Sequence, residues 1–200
     1  MTAPVTFWFD FGSPYSWLAA EQIEAVATRC GRPLVWRAIL LGVVFRETGM
    51  APLGVQPLRG DYARLDVARL ARWAGLPFAT AIVADGVSLA LARVFYALDA
   101  ADPALAARFA REAMRAGFGH GEDLSTPEAA QAFATRLGMG EAAAGAESPA
   151  ARAALRAATA EALRLGVFGA PFFIVEGEPF WGQDRLPLLE AWLAERADRA

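Results

Sequence analysis

The chain has 200 residues, of which 56% are hydrophobic and 20% are charged, and its formal net charge is −3. This length and hydrophobic content predict one folded body with a substantial core and exclude a disordered chain. The slight acidic excess, without a stripe of arginines and aromatic residues, argues against nucleic acid as a partner.

All 19 basic residues are arginines, because the chain contains no lysine. Chemistry that needs a lysine Schiff base or a P-loop lysine is therefore excluded. His120 is the only histidine, and its glycine-rich surroundings predict a solvated turn. A histidine-based metal site or a Ser-His-Asp triad would depend on this one residue, so we expect no metal.

Cys30 is the only cysteine, so neither an intrachain disulfide nor a Cys-x-x-Cys redox pair can form. Its neighbours predict the end of a helix with Gly31 at the cap, where a half-buried structural cysteine is favoured. The N-terminus has no basic and apolar leader pattern, and no apolar run reaches membrane-spanning length. We therefore expect a cytoplasmic protein without a membrane partner.

The first forty residues predict a β-α-β unit. Residues 5–9 form a β-branched and aromatic run that ends at Asp10. Ser13 has the side chain of an N-cap, and Pro14 suits the first turn of the helix that follows. A second strand is predicted at residues 33–39, which implies a parallel crossover.

The middle of the chain changes character twice. The next twenty residues, rich in glycine and proline, predict a long irregular connection with one helical turn. From Tyr62 to about Leu165 the apolar spacing and caps predict a block of packed helices. Residues 171–182 then predict a β-hairpin, followed by a closing helix that begins near Asp184.

This order of elements predicts an α/β, thioredoxin-like fold with a large helical insertion. Residues 1–60 and 150–200 would form a discontinuous thioredoxin-like domain. Residues 61–149 would form the inserted helical domain.

Ser13 and Ser16 stand at the start of the first helix, where a redox protein of this fold would carry two thiols. A helix start stabilises an anion, and an unassisted serine is a weak nucleophile. Ser13 is therefore interpreted as a donor to a bound thiolate. The alternative is that Ser13 only caps the helix.

Two more stretches carry candidate site residues. Pro171 is placed to be the cis-proline that faces the helix start in this fold, which would leave the Ala170 backbone free to pair with an extended peptide. The alternative is an ordinary trans proline. Further on, Gly182 permits close approach, and Gln183 and Asp184 offer polar groups for an amino or carboxylate group. The alternative is that Asp184 only caps the last helix.

Four segments carry a family resemblance. The segments are FDFGSPYSWLA (9–19), WRAILLGVVFRETG (36–49), DYARLDVARLARWAGLPF (61–78) and GVFGAPFFIVEGEPFWGQDRLPLLE (166–190). They resemble the 2-hydroxychromene-2-carboxylate isomerases, which belong with the kappa-class glutathione transferases in the DsbA-like branch of the thioredoxin fold. The segments span nearly the whole chain in the family's order, and the last is the most specific.

The resemblance implies a homodimeric enzyme that binds glutathione between its thioredoxin-like and helical parts. Ser13 would hydrogen-bond the glutathione sulfur, and Ala170, before Pro171, would pair with the cysteinyl part. The γ-glutamyl end would lie against Trp181, Gly182, Gln183 and Asp184. The thiolate would add reversibly to a small ring-opened aromatic substrate and leave after a double bond rotates, so glutathione would not be consumed.

The chain departs from the family at two positions after the second strand. Arg46 stands where the isomerases often have lysine, and Met50 stands where they often have asparagine. Arg46 and Tyr15 are the residues that we expect to contact the substrate. Two alternatives stay open, a kappa-like transferase that conjugates electrophiles and a non-catalytic thiol- or peptide-binding module. A disulfide oxidoreductase is disfavoured by the single cysteine.

Overall fold

A computed structural model describes residues 2–83 and 86–197. Its sheet has four strands in the order β2-β1-β3-β4. The pair β1 and β2 is parallel, whereas β3 is antiparallel to both β1 and β4. The strands are β1 (Val5–Phe9), β2 (Leu34–Ala38), β3 (Phe172–Val175) and β4 (Glu178–Trp181). The β-α-β start and the C-terminal hairpin predicted from the sequence are confirmed.

Helices surround this sheet and fill the middle of the chain, as the apolar spacing predicted. The α-helices of the described residues are α1 (Pro14–Ala20), α2 (Ile23–Arg29), α3 (Leu41–Thr48), α4 (Arg59–Trp73), α5 (Val87–Ala101), α6 (Pro103–Met114), α7 (Pro127–Arg136), α8 (Gly140–Ala143), α9 (Pro149–Arg164) and α10 (Leu186–Ala197). Short 3-10 turns occupy Leu53–Val55 and Gln183–Arg185, and a π-helical turn occupies Arg115–Gly119.

The segment after β2 is more regular than predicted. The expectation of an irregular connection with one helical turn is wrong, because α3 is a helix of eight residues. Its first backbone N–H, at Leu41, donates to the Asp10 side chain at 2.8 Å. Its end is set by Gly49, whose φ of +71° suits a helix terminus. The tertiary contact at the start, absent from local sequence patterns, accounts for the missed helix.

The first predicted helix is divided into α1 and α2. The break lies at Glu21 and Gln22, where the Gln22 side-chain amide donates to the Leu18 carbonyl at 2.8 Å. Such a side-chain bond competes with the backbone ladder of a helix. The C-cap of α2 is Cys30, one residue before the predicted Gly31, which follows with a φ of +61°. Cys30 is partly exposed, as predicted.

The last helix begins later than predicted. A 3-10 turn closes when the Arg185 N–H donates to the Gly182 carbonyl at 3.2 Å, and α10 begins only at Leu186. Asp184 therefore lies inside the 3-10 turn, and its carboxylate pairs with Arg185 at 3.0 Å. The interpretation of Asp184 as the N-cap of the last helix is wrong.

Both faces of the sheet are buried. On one face, an aromatic cluster that includes Phe7, Trp36 and Phe173 packs under the helices. On the other, Trp8 and Phe172 pack with residues of α3 and α9. Each fully buried large side chain contributes about 2–3 kcal/mol of apolar burial. The sheet is thus a rigid base for the loops at its ends.

Helix α9 packs against both β2 and α5. It therefore joins the sheet to the helical block, and the division of the chain at residues 61 and 149 stays a prediction. Within the described residues, no helix is long and apolar enough to cross a membrane.

Candidate functional site

Ser13 lies at the junction of β1 and α1 and is buried. It has extended backbone geometry, and its hydroxyl oxygen accepts the Ser16 N–H at 3.1 Å, so it is the N-cap of α1, as predicted. Its hydroxyl also donates to the carbonyl oxygen of Ala170 at 3.0 Å. Capping α1 requires only that the Ser13 oxygen accepts a hydrogen bond. The hydroxyl proton is therefore available for donation to Ala170, on the other side of the site.

The Ala170–Pro171 bond is cis, which confirms the sequence prediction. The Pro171 carbonyl accepts the Gly182 N–H at 3.0 Å. Since Ala170 contacts Ser13, the structure brings together the three stretches that were singled out in the sequence. They lie at residues 13, 170–171 and 182, at one end of the sheet.

Gly182 has a φ of +111°, a region that essentially only glycine adopts. A Cβ at this position would collide with the Asp184 carboxylate. Asp184 is exposed, and Gln183 is partly buried beside it. The amide of Gln183 and the carboxylate of Asp184 thus follow directly after the glycine whose N–H bonds Pro171.

The Trp181 side chain lies apart from this group. Trp181 pairs with Phe172 in the sheet, and its ring packs against Phe168 with centroids 4.7 Å apart. Its side chain is half exposed, and Gly169 leaves space for its indole nitrogen. The indole of Trp181 thus lies on the same face of the sheet as Trp8 and Phe172, whereas α1 lies on the other face.

Tyr15 joins α1 to α4. Its phenol donates to the Asp66 carboxylate at 3.1 Å. Burial, together with the negative charges of Asp66 and Asp184, raises the pKa of Tyr15 well above its ordinary range. The phenol therefore stays protonated, and both carboxylates lie near it. Asp66 was missed in the sequence, where a helical aspartate three residues before Arg69 has the pattern of a solvated ion pair.

Asp10 is a second residue that sequence reasoning missed. Its side chain is buried and accepts hydrogen bonds from the Gly12 N–H at 2.6 Å, the Leu41 N–H at 2.8 Å and the Ser88 hydroxyl at 2.5 Å. Burial raises the pKa of Asp10, although these three donors oppose that rise. The only sequence signal was its place directly after a buried strand, where aspartates also occur simply as turn residues.

Ser16 is fully buried, and its hydroxyl oxygen accepts the Asp10 backbone N–H at 3.5 Å. It therefore ties the loop to α1. Arg46 is exposed in the last turn of α3, and Met50 lies just beyond that helix. Neither takes part in the hydrogen bonds that join Ser13 to Ala170.

The histidine and the cysteine, which could bind a metal or take part in redox chemistry, lie away from Ser13 and Ala170. His120 is exposed at the end of the π-helical turn, and burial raises the pKa of the Cys30 thiol. Across residues 2–83 and 86–197, no group of three or more histidine, cysteine, aspartate or glutamate side chains could hold a metal ion.

A helix that is capped by a serine and faces a cis-proline has the geometry of a thioredoxin-like active site in which serine takes the place of the redox cysteines. The family model described as a DSBA-like thioredoxin domain matches residues 4–194. The class of the protein is therefore that of the DsbA-like thioredoxin domains.

Comparison with known proteins shows to which family within this class the chain belongs. A 2-hydroxychromene-2-carboxylate isomerase of Sphingobium xenophagum is 31% identical, with 98% of this chain and 100% of the relative covered. The glutathione S-transferase kappa 1 of Homo sapiens is 28% identical, with 96% and 91% covered. A solved structure of 2-hydroxychromene-2-carboxylate isomerase matches with a TM-score of 0.82 and 28% identity over 98% of both chains. The chain belongs to the 2-hydroxychromene-2-carboxylate isomerase family, which is related to the kappa-class glutathione transferases.

Proposed function

We propose that this protein is a glutathione-dependent isomerase that interconverts 2-hydroxychromene-2-carboxylate and trans-o-hydroxybenzylidenepyruvate, or a related pair from aromatic catabolism. The observation that carries the proposal is the 3.0 Å hydrogen bond from the Ser13 hydroxyl to the Ala170 carbonyl. It joins the two groups that the family resemblance implies for the sulfur and the cysteinyl backbone of glutathione.

The donors and acceptors at this point fit a thiol peptide. Ser13 has one hydroxyl proton, and Ala170 now accepts it. A peptide N–H that paired with the Ala170 carbonyl would replace that proton, as in strand addition. The Ser13 hydroxyl could then turn and donate to an anion, while its oxygen still accepts the Ser16 N–H.

The start of α1 adds one more donor. Pro14 has no N–H, and the N–H groups of Ser16 and Trp17 are taken by Ser13. The Tyr15 N–H is the remaining donor of the first turn. Donors directed at a developing or bound anion lower the pKa of a thiol. When bound, glutathione would supply a thiolate that adds reversibly to a conjugated double bond and leaves again.

The other predicted contacts surround this point. The Asp184 carboxylate and the Gln183 amide would hold the γ-glutamyl end, with Gly182 allowing close approach. Trp181 would contribute through its backbone, because its indole packs against Phe168. Asp66, which shares the neighbourhood of Tyr15 with Asp184, offers a second carboxylate for an ammonium group.

Substrate contacts are proposed for Tyr15 and Arg46. The Tyr15 phenol donates its one proton to Asp66, so its oxygen could accept a hydrogen bond from a substrate hydroxyl group, and the exposed Arg46 guanidinium could pair with a substrate carboxylate. The proposal for Arg46 follows from the family resemblance and from its positive charge, whereas the proposal for Tyr15 follows from its place in the first turn of α1, two residues after Ser13.

A kappa-like transferase is the second candidate, because the human kappa relative is matched almost as well as the isomerases. Product analysis distinguishes the candidates. The purified protein is incubated with glutathione and 2-hydroxychromene-2-carboxylate, and both free thiol and isomers are measured. We expect isomerisation at constant free thiol. Loss of thiol with a conjugate would indicate a transferase, and neither change would indicate a binding module.

We also propose a homodimer. Large side chains at helical spacing lie exposed along α4 and at the residue before it, namely Leu58, Tyr62, Leu65 and Trp73, each at least 60% exposed. An exposed apolar face of this kind is typical of a protein interface. Light scattering during gel filtration should give the mass of two chains, and Leu65→Glu should give the mass of one. A monomeric wild type would contradict this proposal.

The cytoplasmic location also stays a prediction.

A further inference from the structure

The Asp10 carboxyl group connects three separate elements beneath Ser13. One oxygen accepts the Gly12 N–H and the Ser88 hydroxyl, at 2.6 Å and 2.5 Å. The other accepts the Leu41 N–H at 2.8 Å. The loop before α1, the start of α3 and the first turn of α5 are thus joined by one side chain that is only 3% exposed.

Ser88 closes this cluster from the side of the helical block. Its hydroxyl donates to Asp10 and also accepts the Gly12 N–H at 3.1 Å. A Cβ on Gly12 would lie 2.9 Å from the Ser88 oxygen and 3.1 Å from the Asp10 oxygen. Contacts this close leave the Gly12 backbone little freedom to shift.

The backbone carries this constraint directly to Ser13. Gly12 immediately precedes Ser13, and the Ser13 N–H donates to the Asp10 carbonyl at 3.0 Å. The Ser13 hydroxyl must reach two partners at once, the Ser16 N–H and the Ala170 carbonyl. A displacement of the loop would therefore change the direction in which its proton points.

We propose that Asp10 and Ser88 are positioning residues for the Ser13 hydroxyl, and that Ser88 makes this position depend on α5. Neither side chain contacts the Ser13 oxygen, so both act through Gly12. The inference rests on the proposed role of Ser13 in binding glutathione. It assigns to the first turn of α5 a part in the site that no motif in the sequence indicates.

The test compares Ser88→Ala, which removes the hydroxyl, with Ser88→Thr, which retains it. Thr159→Val is the matched control. The Thr159 hydroxyl is also buried and accepts a backbone N–H at the start of α3, that of Leu40 at 3.3 Å, but it does not contact Asp10. The measured quantities are the pKa of enzyme-bound glutathione, from the ultraviolet absorbance of the thiolate, and kcat and KM for isomerisation.

We expect Ser88→Ala to raise the pKa of bound glutathione and to lower kcat about tenfold, with KM for glutathione changing less than about threefold. Ser88→Thr should keep the pKa of bound glutathione and kcat close to their wild-type values. Thr159→Val should leave both quantities unchanged. If Ser88→Ala does not fold, Gly12→Ala is tested in its place, because the new Cβ would displace the Ser88 hydroxyl. We expect Gly12→Ala to raise the pKa of bound glutathione and to lower kcat as Ser88→Ala would.

Two results would overturn the inference, and they differ. If the wild type binds glutathione but Ser88→Ala only lowers the melting temperature, as Thr159→Val does, Ser88 is merely structural and the proposed function stands. If calorimetry detects no glutathione binding by the wild type, the proposed function fails and this inference fails with it.

Discussion

The Ser13 hydroxyl donates a hydrogen bond to the Ala170 carbonyl across a separation of 157 residues. The same oxygen accepts the Ser16 N–H, so Ser13 is both a helix cap and a donor aimed across the site. The alternatives left open by the sequence, a cap or a thiolate donor, are thus compatible in one side chain. Their contributions can be separated by experiment.

The first prediction separates capping from binding with two serines. Ser13→Ala and Ser148→Ala each remove an N-cap, since Ser148 caps α9 by accepting the Ala151 N–H at 3.2 Å. Ser148→Ala should lose about 1 kcal/mol of unfolding free energy in urea titrations, and Ser13→Ala about 1 kcal/mol more, because it also loses the hydrogen bond to Ala170. Only Ser13→Ala should weaken glutathione binding and raise the pKa of the bound thiol. Equal glutathione binding by both variants would show that Ser13 only caps its helix.

The second prediction concerns the pH dependence of stability. Burial raises the pKa of Asp10 above its ordinary range, which is about 4. Between that value and the raised one, the folded chain holds more protons than the unfolded chain. Stability contributed by the protonated group is therefore present at low pH and is lost as the pH rises through the folded pKa.

The measurement is the unfolding free energy of the wild type minus that of Asp10→Asn, from about pH 4 upward. We expect this difference to fall as the pH rises, because asparagine does not titrate. A difference that grows with pH would show that the donors from Ser88, Leu41 and Gly12 outweigh burial and hold the pKa below its ordinary value.

The third prediction tests the link between α1 and α4. The Tyr15 phenol donates to Asp66 at 3.1 Å, so Tyr15→Phe and Asp66→Asn should not be additive. A double-mutant cycle in urea should give a coupling energy of about 1 kcal/mol. Asp61→Asn is the control, because Asp61 lies on α4 like Asp66 but its side chain is 72% exposed, and it should change stability by less than about 0.5 kcal/mol. Additive effects of the first pair would contradict the link.

The fourth prediction concerns the backbone at Gly182. Gly182→Ala forces a Cβ into a φ of +111° and against the Asp184 carboxylate. We expect a loss of about 2 kcal/mol of unfolding free energy and weaker glutathione binding. Gly166→Ala is the control, because Gly166 has a φ of +77° but open space around it. Its cost should be about 1 kcal/mol, with binding unchanged. Equal binding by the two variants would exclude the Gly182 turn from the site.

Much of the fold was predictable because its signals are local. The aromatic run of β1, the Ser13 cap and the turn at Glu176 and Gly177 each specify structure within a few residues. In the structure, Glu176 and Gly177 have φ of +53° and +82° and join β3 to β4 within the hairpin that was predicted for residues 171–182. Pro171 was placed by the fold pattern, and its cis bond is confirmed.

The missed features depend on contacts between distant residues. The start of α3 is held by the Asp10 side chain, 31 residues earlier in the chain, so the glycine-rich segment did not predict a helix. Asp10, Ser88 and Asp66 have ordinary sequence contexts, namely a turn, a helix start and a helical ion pair. Only burial and tertiary hydrogen bonds distinguish them from solvated residues, and local patterns contain neither.

Whether glutathione acts as a catalyst is measured by turnover with less glutathione than substrate. The purified protein is supplied with 2-hydroxychromene-2-carboxylate in excess over glutathione, and both isomers and free thiol are followed together by NMR. We expect the substrate to reach equilibrium with trans-o-hydroxybenzylidenepyruvate while the amount of free glutathione stays constant. A reaction that proceeds equally without glutathione, or that stops after one product per glutathione, would contradict this expectation.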